Sequence, residues 1–128
     1  ALALARENAR INGVEGVFLQ GDLLEPVKAD TFACILCNPP YLTETEMNFL
    51  QKELTFEPAQ ALYGGKDGLD FYRRLSREAA ACLEPGGSLY MEIGCTQGTE
   101  VQALFPGSRV EKDLSGLDRM VIWTKHER

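Results

Sequence analysis

The chain has 128 residues, 45% of them hydrophobic and 25% charged, which describes one soluble globular domain and excludes a disordered tail or a collagen-like repeat. No apolar run approaches the roughly 20 residues of a membrane-spanning helix, so a membrane protein is excluded too. Thirteen Lys and Arg against nineteen Asp and Glu leave a net charge of -6, which argues against a partner held mainly through phosphate contacts.

The opening run, Ala1 to Gly13, reads as a helix from its first residue. Asn12-Gly13 is a good stop signal, but no Ser, Thr, Asp or Asn precedes the first turn to satisfy its free N–H groups. There is no initiator Met, and Arg6, Glu7 and Arg10 interrupt any signal-peptide core. An uncapped start of this kind is what the C-terminal piece of a longer protein shows. Gly16 to Gln20 follows as a short strand, ended by Gly21-Asp22.

A polar loop with Pro26 and Asp30 leads into the apolar run Thr31 to Cys37, which reads as a buried strand. Asn38-Pro39-Pro40 stops it, because proline cannot donate to a ladder. Cys34 and Cys37 have metal-site spacing, yet residues three apart on a strand face opposite ways, and no second pair or nearby histidine completes a ligand set. Reduced thiols of a cytoplasmic protein are the plainer reading of the four cysteines. Thr43 and Glu46 have capping-box spacing and predict a helix to about Leu54.

Phe56 to Gly68 is loop-like, and Gly64-Gly65-Lys66-Asp67-Gly68 is a turn without the spacing of a phosphate loop. Asp67 is placed to cap a helix over Leu69 to Leu83, with Tyr72, Leu75, Ala79 and Leu83 on its apolar face and Arg73, Arg74 and Arg77 on its solvated one. Phe49, Phe56 and Tyr63 read as packing residues, Glu57 as a loop carboxylate, and Glu92 as a buried acid within a strand. Glu84 to Gly87 is a turn, Ser88 to Ile93 a strand, and Thr99 to Phe105 a short helix. Arg109 to Asp113 and Met120 to Lys125 form an antiparallel hairpin.

Strands alternating with helices predict an open α/β sheet, whose ligands bind beyond the carboxyl ends of the strands. The segments there are Gly21-Asp22-Leu23, Asn38-Pro39-Pro40-Tyr41 and Glu92 to Cys95. The second carries the clearest chemistry. The Asn38 side-chain oxygen and the Pro39 carbonyl can both accept from one planar NH2 group, while Tyr41 offers a ring to stack on it. An amide nitrogen is a poor nucleophile because its lone pair is delocalised. Holding both its hydrogens favours a pyramidal nitrogen with the lone pair aimed at an electrophile, which is orientation and electrostatic catalysis without a strong base.

Asn38-Pro39-Pro40-Tyr41 after an apolar strand resembles the motif of class I S-adenosylmethionine-dependent methyltransferases that act on planar NH2 groups. Ala61-Leu62-Tyr63-Gly64-Gly65-Lys66-Asp67-Gly68-Leu69-Asp70-Phe71-Tyr72-Arg73, with Glu57-Pro58, Leu83 to Gly87 and Lys112-Asp113-Leu114, resembles the peptide chain release factor glutamine methyltransferases. The likeness runs nearly end to end. It implies a Rossmann-like class I methyltransferase sheet with a C-terminal antiparallel hairpin, and makes residues 1–128 the C-terminal portion of the catalytic domain. It implies S-adenosylmethionine as cofactor, with Asp22 accepting from the adenine amino group, Leu23 packing near that ring, and Asn38 also among the cofactor-binding residues. The partner would be a release factor, whose Gly-Gly-Gln glutamine amide is held by Asn38, Pro39, Pro40 and Tyr41 and methylated there.

The family's glycine-rich loop after its first strand, and the acidic residue after its second, have no counterpart here: no Gly-x-Gly occurs in the chain. The sheet is therefore expected to lack its first two strands, which would leave Gly16 to Gln20 without a neighbour. These 128 residues alone are expected to be inactive and to bind the cofactor weakly. An adenine or guanine N-methyltransferase, and a non-catalytic interaction module that kept the motif, are the alternatives.

Overall fold

The structure is a computed structural model that describes residues 1–50 and 58–127. A four-stranded sheet, built from β1 (Phe32–Cys37), β2 (Leu83–Glu92), β3 (Arg109–Lys112) and β4 (Asp118–Thr124), runs in the order β1-β2-β4-β3. β1 and β2 are parallel; β4 is antiparallel to β2 and to β3. The expected hairpin is present. Its turn is held by the Asp113 carboxylate, which accepts from the Ser115 and Leu117 amides at 2.9 and 3.0 Å. Those amides, Leu117 foremost, hold the Asp113 carboxyl below the ordinary carboxylate range.

The helices are α1 (Leu2–Ile11), α2 (Glu44–Asn48), α3 (Asp70–Glu78) and α4 (Gly98–Leu104). α3 covers one sheet face because its apolar residues recur at helical spacing: Tyr72 and Leu75, with Ala79 just past its end, are buried with Leu89, Met91 and Val121 of the strands. Each buried Leu, Met or Val among them contributes about 1.5–3 kcal/mol by leaving water. Along β1 the pleat sends Ile35 and Cys37 toward this core, while Leu36 on the opposite face stays 78% exposed.

Several expectations change. Residues 16–20 form no strand, and Val17 is 85% exposed; an extended segment without a ladder partner has nothing to hold it as one. The turn expected over Glu84 to Gly87 lies inside β2. Phe32 pairs with Leu83 but Cys34 pairs with Ser88, so the extra residues are taken up as a bulge, with Gly86 at φ +81°. Glycine and proline mark bulges as readily as turns. α2 has the reciprocal capping box of Thr43 and Glu46 and ends at Asn48; residues 51–54 of the expected helix lie outside the described residues. α3 ends at Glu78 and continues as a tight 3-10 turn, Ala79–Cys82. Asp67 accepts from Leu69 two residues on, closing the turn before α3 rather than capping the helix. α1 has no side-chain cap at Ala1, as its sequence predicts.

Candidate functional site

β1 and β2 are parallel, and Cys37 pairs with Met91, so both strands finish at one edge and bring Asn38 beside Glu92. The strand end there is fixed from below. The Tyr72 hydroxyl, on the buried face of α3, donates to the Glu92 carbonyl at 2.6 Å. Burial pushes the Tyr72 phenol well above its ordinary range, so it remains a donor. Asn38, Pro39, Pro40 and Tyr41 line a cavity of about 260 Å³ with Leu42, Ala61, Leu62 and Glu92. The four residues singled out by the sequence thus share one cleft.

Among the described residues, neither the Asn38 side-chain amide nor the Pro39 carbonyl has a hydrogen-bond partner. Both residues line the cleft, and both acceptors are without a partner among the described residues. Cys37 adjoins them, but burial raises its thiol to about 11, which leaves it protonated and inert as a nucleophile at neutral pH. Glu92 is half-buried at the cleft wall rather than enclosed within the strand.

Behind the cleft the backbone of Pro40 and Tyr41 is packed against the glycine turn. A side chain on Gly64 would place its Cβ 2.7 Å from the Pro40 carbonyl oxygen, and one on Gly68 would come within 2.3 Å of the Tyr41 oxygen. Leu42 donates to the Leu62 carbonyl and Gly64 to the Leu42 carbonyl, both at 2.9 Å. Gln97, on the loop after β2, donates from Nε2 to the Tyr41 and Gly68 carbonyls at 3.0 and 3.3 Å and accepts from the Gly94 amide at 2.8 Å.

Asp22 and Leu23 stand apart from the Asn38–Tyr41 cavity. The Asp22 carboxylate receives Arg74 of α3 at 2.8 Å, through Oδ1 alone, and is otherwise largely open to solvent. Arg74 also lies over the Phe71 ring, 5.6 Å from its centre. Leu23 is held at φ +54°, a left-handed conformation uncommon for a branched apolar residue. Its side chain packs on the core.

A family model described as the methyltransferase small domain matches residues 1–68, just over half of the chain. The chain belongs to that family. This methyltransferase domain is 42% identical to the release factor glutamine methyltransferase of Thermodesulfovibrio yellowstonii, over 98% of its own length and 47% of that protein. It is 36% identical to the release factor glutamine methyltransferase of Enterococcus faecalis, over 95% of its length and 47% of the relative. The chain thus spans about half the length of the curated relatives it matches. Two solved structures share the fold at low identity: a methyltransferase from Pyrococcus furiosus (TM-score 0.61, 20% identity, 98% of this chain and 57% of that one) and TrmN from Thermus thermophilus (0.60, 22%, 97% and 33%).

Within the methyltransferase domain, several side chains behave differently from their sequence expectation. Of the arginines assigned to a solvated face, Arg77 is exposed, while Arg73 and Arg74 stay partly exposed and also bind carboxylates, Arg73 those of Asp67 and its helix neighbour Asp70, and Arg74 that of the distant Asp22. Phe49, expected to pack, is 80% exposed just past the end of α2. Phe56 and Glu57 lie outside the described residues. Gln97 escaped the sequence reading altogether: nothing in a lone glutamine on a short loop announces three partners. The cluster Gly64, Gly65 and Gly68 did carry a signal, since glycines also mark close backbone approach.

Proposed function

We propose that this chain carries the acceptor site of an S-adenosylmethionine-dependent methyltransferase that methylates the side-chain amide nitrogen of glutamine in the Gly-Gly-Gln loop of peptide chain release factors. The observation that supports it most is a pair of acceptors without partners among the described residues, the Asn38 side-chain oxygen and the Pro39 carbonyl, on residues that line one narrow cleft with Tyr41. A cavity of about 260 Å³ is below the size at which pockets for drug-sized ligands begin, roughly 300 Å³, and suits one planar head group. The two acceptors take the two N–H bonds of the amide, and Tyr41 limits its tilt. The nitrogen lone pair is thereby freed from conjugation and directed out of the amide plane. The names of the relatives, at 36–42% identity over nearly the whole chain, support a release factor as the substrate.

The cofactor supplies an electrophilic methyl group when bound. The residues present suit its adenine end: Asp22 Oδ2 has no partner among the described residues, and Leu23 offers an apolar neighbour. The chain has no Gly-x-Gly with which to approach the cofactor's remaining polar groups closely. These 128 residues by themselves are therefore expected to bind S-adenosylmethionine no more tightly than roughly 1 mM, an affinity of about 4 kcal/mol. Calorimetry showing one-to-one micromolar binding would contradict this.

The function itself is tested by incubating the full natural polypeptide with S-adenosylmethionine and a release factor, and reading the tryptic Gly-Gly-Gln peptide by mass spectrometry. One added methyl on the glutamine amide is the expected result. Transfer instead to an adenine- or guanine-containing oligonucleotide, with the release factor unmodified, would overturn it.

A further inference from the structure

Asn38-Pro39-Pro40-Tyr41 is poorly equipped to hold itself in place. Two consecutive prolines remove two N–H groups, and thus two points at which a loop is ordinarily tied. Its fixing must come from the other side, through carbonyls that accept from something else. The Pro40 carbonyl rests against Gly64 with no donor among the described residues, so the tie falls one residue on, at the Tyr41–Leu42 peptide, whose N–H donates to Leu62 at 2.9 Å and whose carbonyl receives Gln97 Nε2 at 3.0 Å.

The geometry points to Gln97 as the positioning residue of the acceptor site: its side-chain amide fixes the Tyr41 peptide and thereby sets where Asn38 and Pro39 present their oxygens. This rests on the function proposed above and identifies what holds that site in register. Gln97 is only 6% exposed, so water does not replace its bonds. Both Nε2 hydrogens and Oε1 are used, on three separate segments: the Tyr41 loop, the Gly68 turn and the Gly94 loop after β2. Turning the amide over would set Oε1 against two carbonyls and Nε2 against an N–H, so the hydrogen-bond pattern permits one orientation. Gln97 is also the residue before α4, and its own carbonyl accepts from Val101 in that helix at 3.0 Å. The Tyr41 loop is thus referenced to a buried helix start rather than to solvent-exposed chain. Orientation catalysis is unforgiving of displacement: a shift of about 1 Å at a reacting group costs on the order of 100-fold in rate.

Gln97→Glu keeps the shape and the acceptor for Gly94 but removes both donors; Gln97→Leu removes all three bonds. Each is introduced into the full natural polypeptide. For methyl transfer to a release factor, kcat is expected to fall about 100-fold in either variant, with KM changed less than about threefold, because the surface that binds a protein substrate is left as it was. Amide exchange gives an independent readout. The Leu42 N–H belongs to the same peptide unit as the Tyr41 carbonyl, and its protection is expected to drop at least tenfold, on the order of the lost restraint, while Val121 in the sheet is unchanged. Wild-type kcat in a folded variant would overturn the assignment. So would a loss confined to global stability, with Leu42 and Val121 falling together in both variants. If the unsubstituted polypeptide transfers no methyl to a release factor, it is the proposed function that fails, and the Leu42 and Val121 amides then decide the role of Gln97 alone.

Discussion

Asn38→Ala is expected to lower kcat for methylation of the glutamine amide by about 100- to 1000-fold, the loss typical of deleting one preorganised group that orients or stabilises the reacting centre. The Asn38 side chain has no hydrogen-bond partner among the described residues, so its removal strands no buried donor or acceptor. Stability should therefore stay within about 0.5 kcal/mol of wild type, as for an ordinary surface substitution. Activity lost with stability kept is the signature of a residue held in readiness for a substrate. Asn38→Asp separates the contributions further. It retains an oxygen at the same position and should preserve roughly tenfold more activity than Asn38→Ala, if the acceptor oxygen is the working group. Kinetics with a release factor substrate, beside urea denaturation of each variant, checks both parts. A raised KM with unchanged kcat would instead mark Asn38 as a group that binds ground and transition states equally.

Much of this site was readable from local pattern. A β-branched and apolar run ended by two prolines locates the end of β1 and what stands there. The Thr43 and Glu46 capping box appears as its two reciprocal bonds, and the Asp113–Asp118 hairpin turn as a carboxylate gathering amides. These succeed because each depends on residues a few positions apart. The failures share the opposite property. Gln97 meets Tyr41 across 56 positions, and Arg74 meets Asp22 across 52, so neither pair leaves a spacing to find. The bulge at Glu84 to Gly87 depends on how β1 is registered against β2; at residues 16–20 the local pattern predicts a strand, while the lack of a neighbour, which the resemblance leads one to expect, leaves it unformed. Local propensity does not encode either condition.

Gly68→Ala is expected to be far more damaging than the same change at Gly116, and the contrast isolates what the glycine turn does for the site. Both residues occupy the left-handed region, at φ +77° and +81°, so an alanine at either pays the same backbone strain of about 1–2 kcal/mol. They differ in what a methyl group meets. At Gly116 nothing lies within 4 Å; at Gly68 the new Cβ would stand 2.3 Å from the Tyr41 carbonyl oxygen and 2.8 Å from Gln97 Nε2. The first obstacle is main chain, which cannot swing aside, and the second is a side chain tied at three points. Relief requires the Tyr41 peptide to move, adding an overpacking cost of about 1–3 kcal/mol and taking the Asn38 and Pro39 oxygens with it. Gly116→Ala should thus lose about 1–2 kcal/mol in urea denaturation and keep full activity per folded molecule. Gly68→Ala should lose a further 1–3 kcal/mol or so and, in the fraction that remains folded, retain roughly 1% of kcat. Equal losses at the two positions would show that the close approach of Gly68 to Tyr41 contributes nothing. The acceptor site would then be held by β1 and Gln97 without support from the turn.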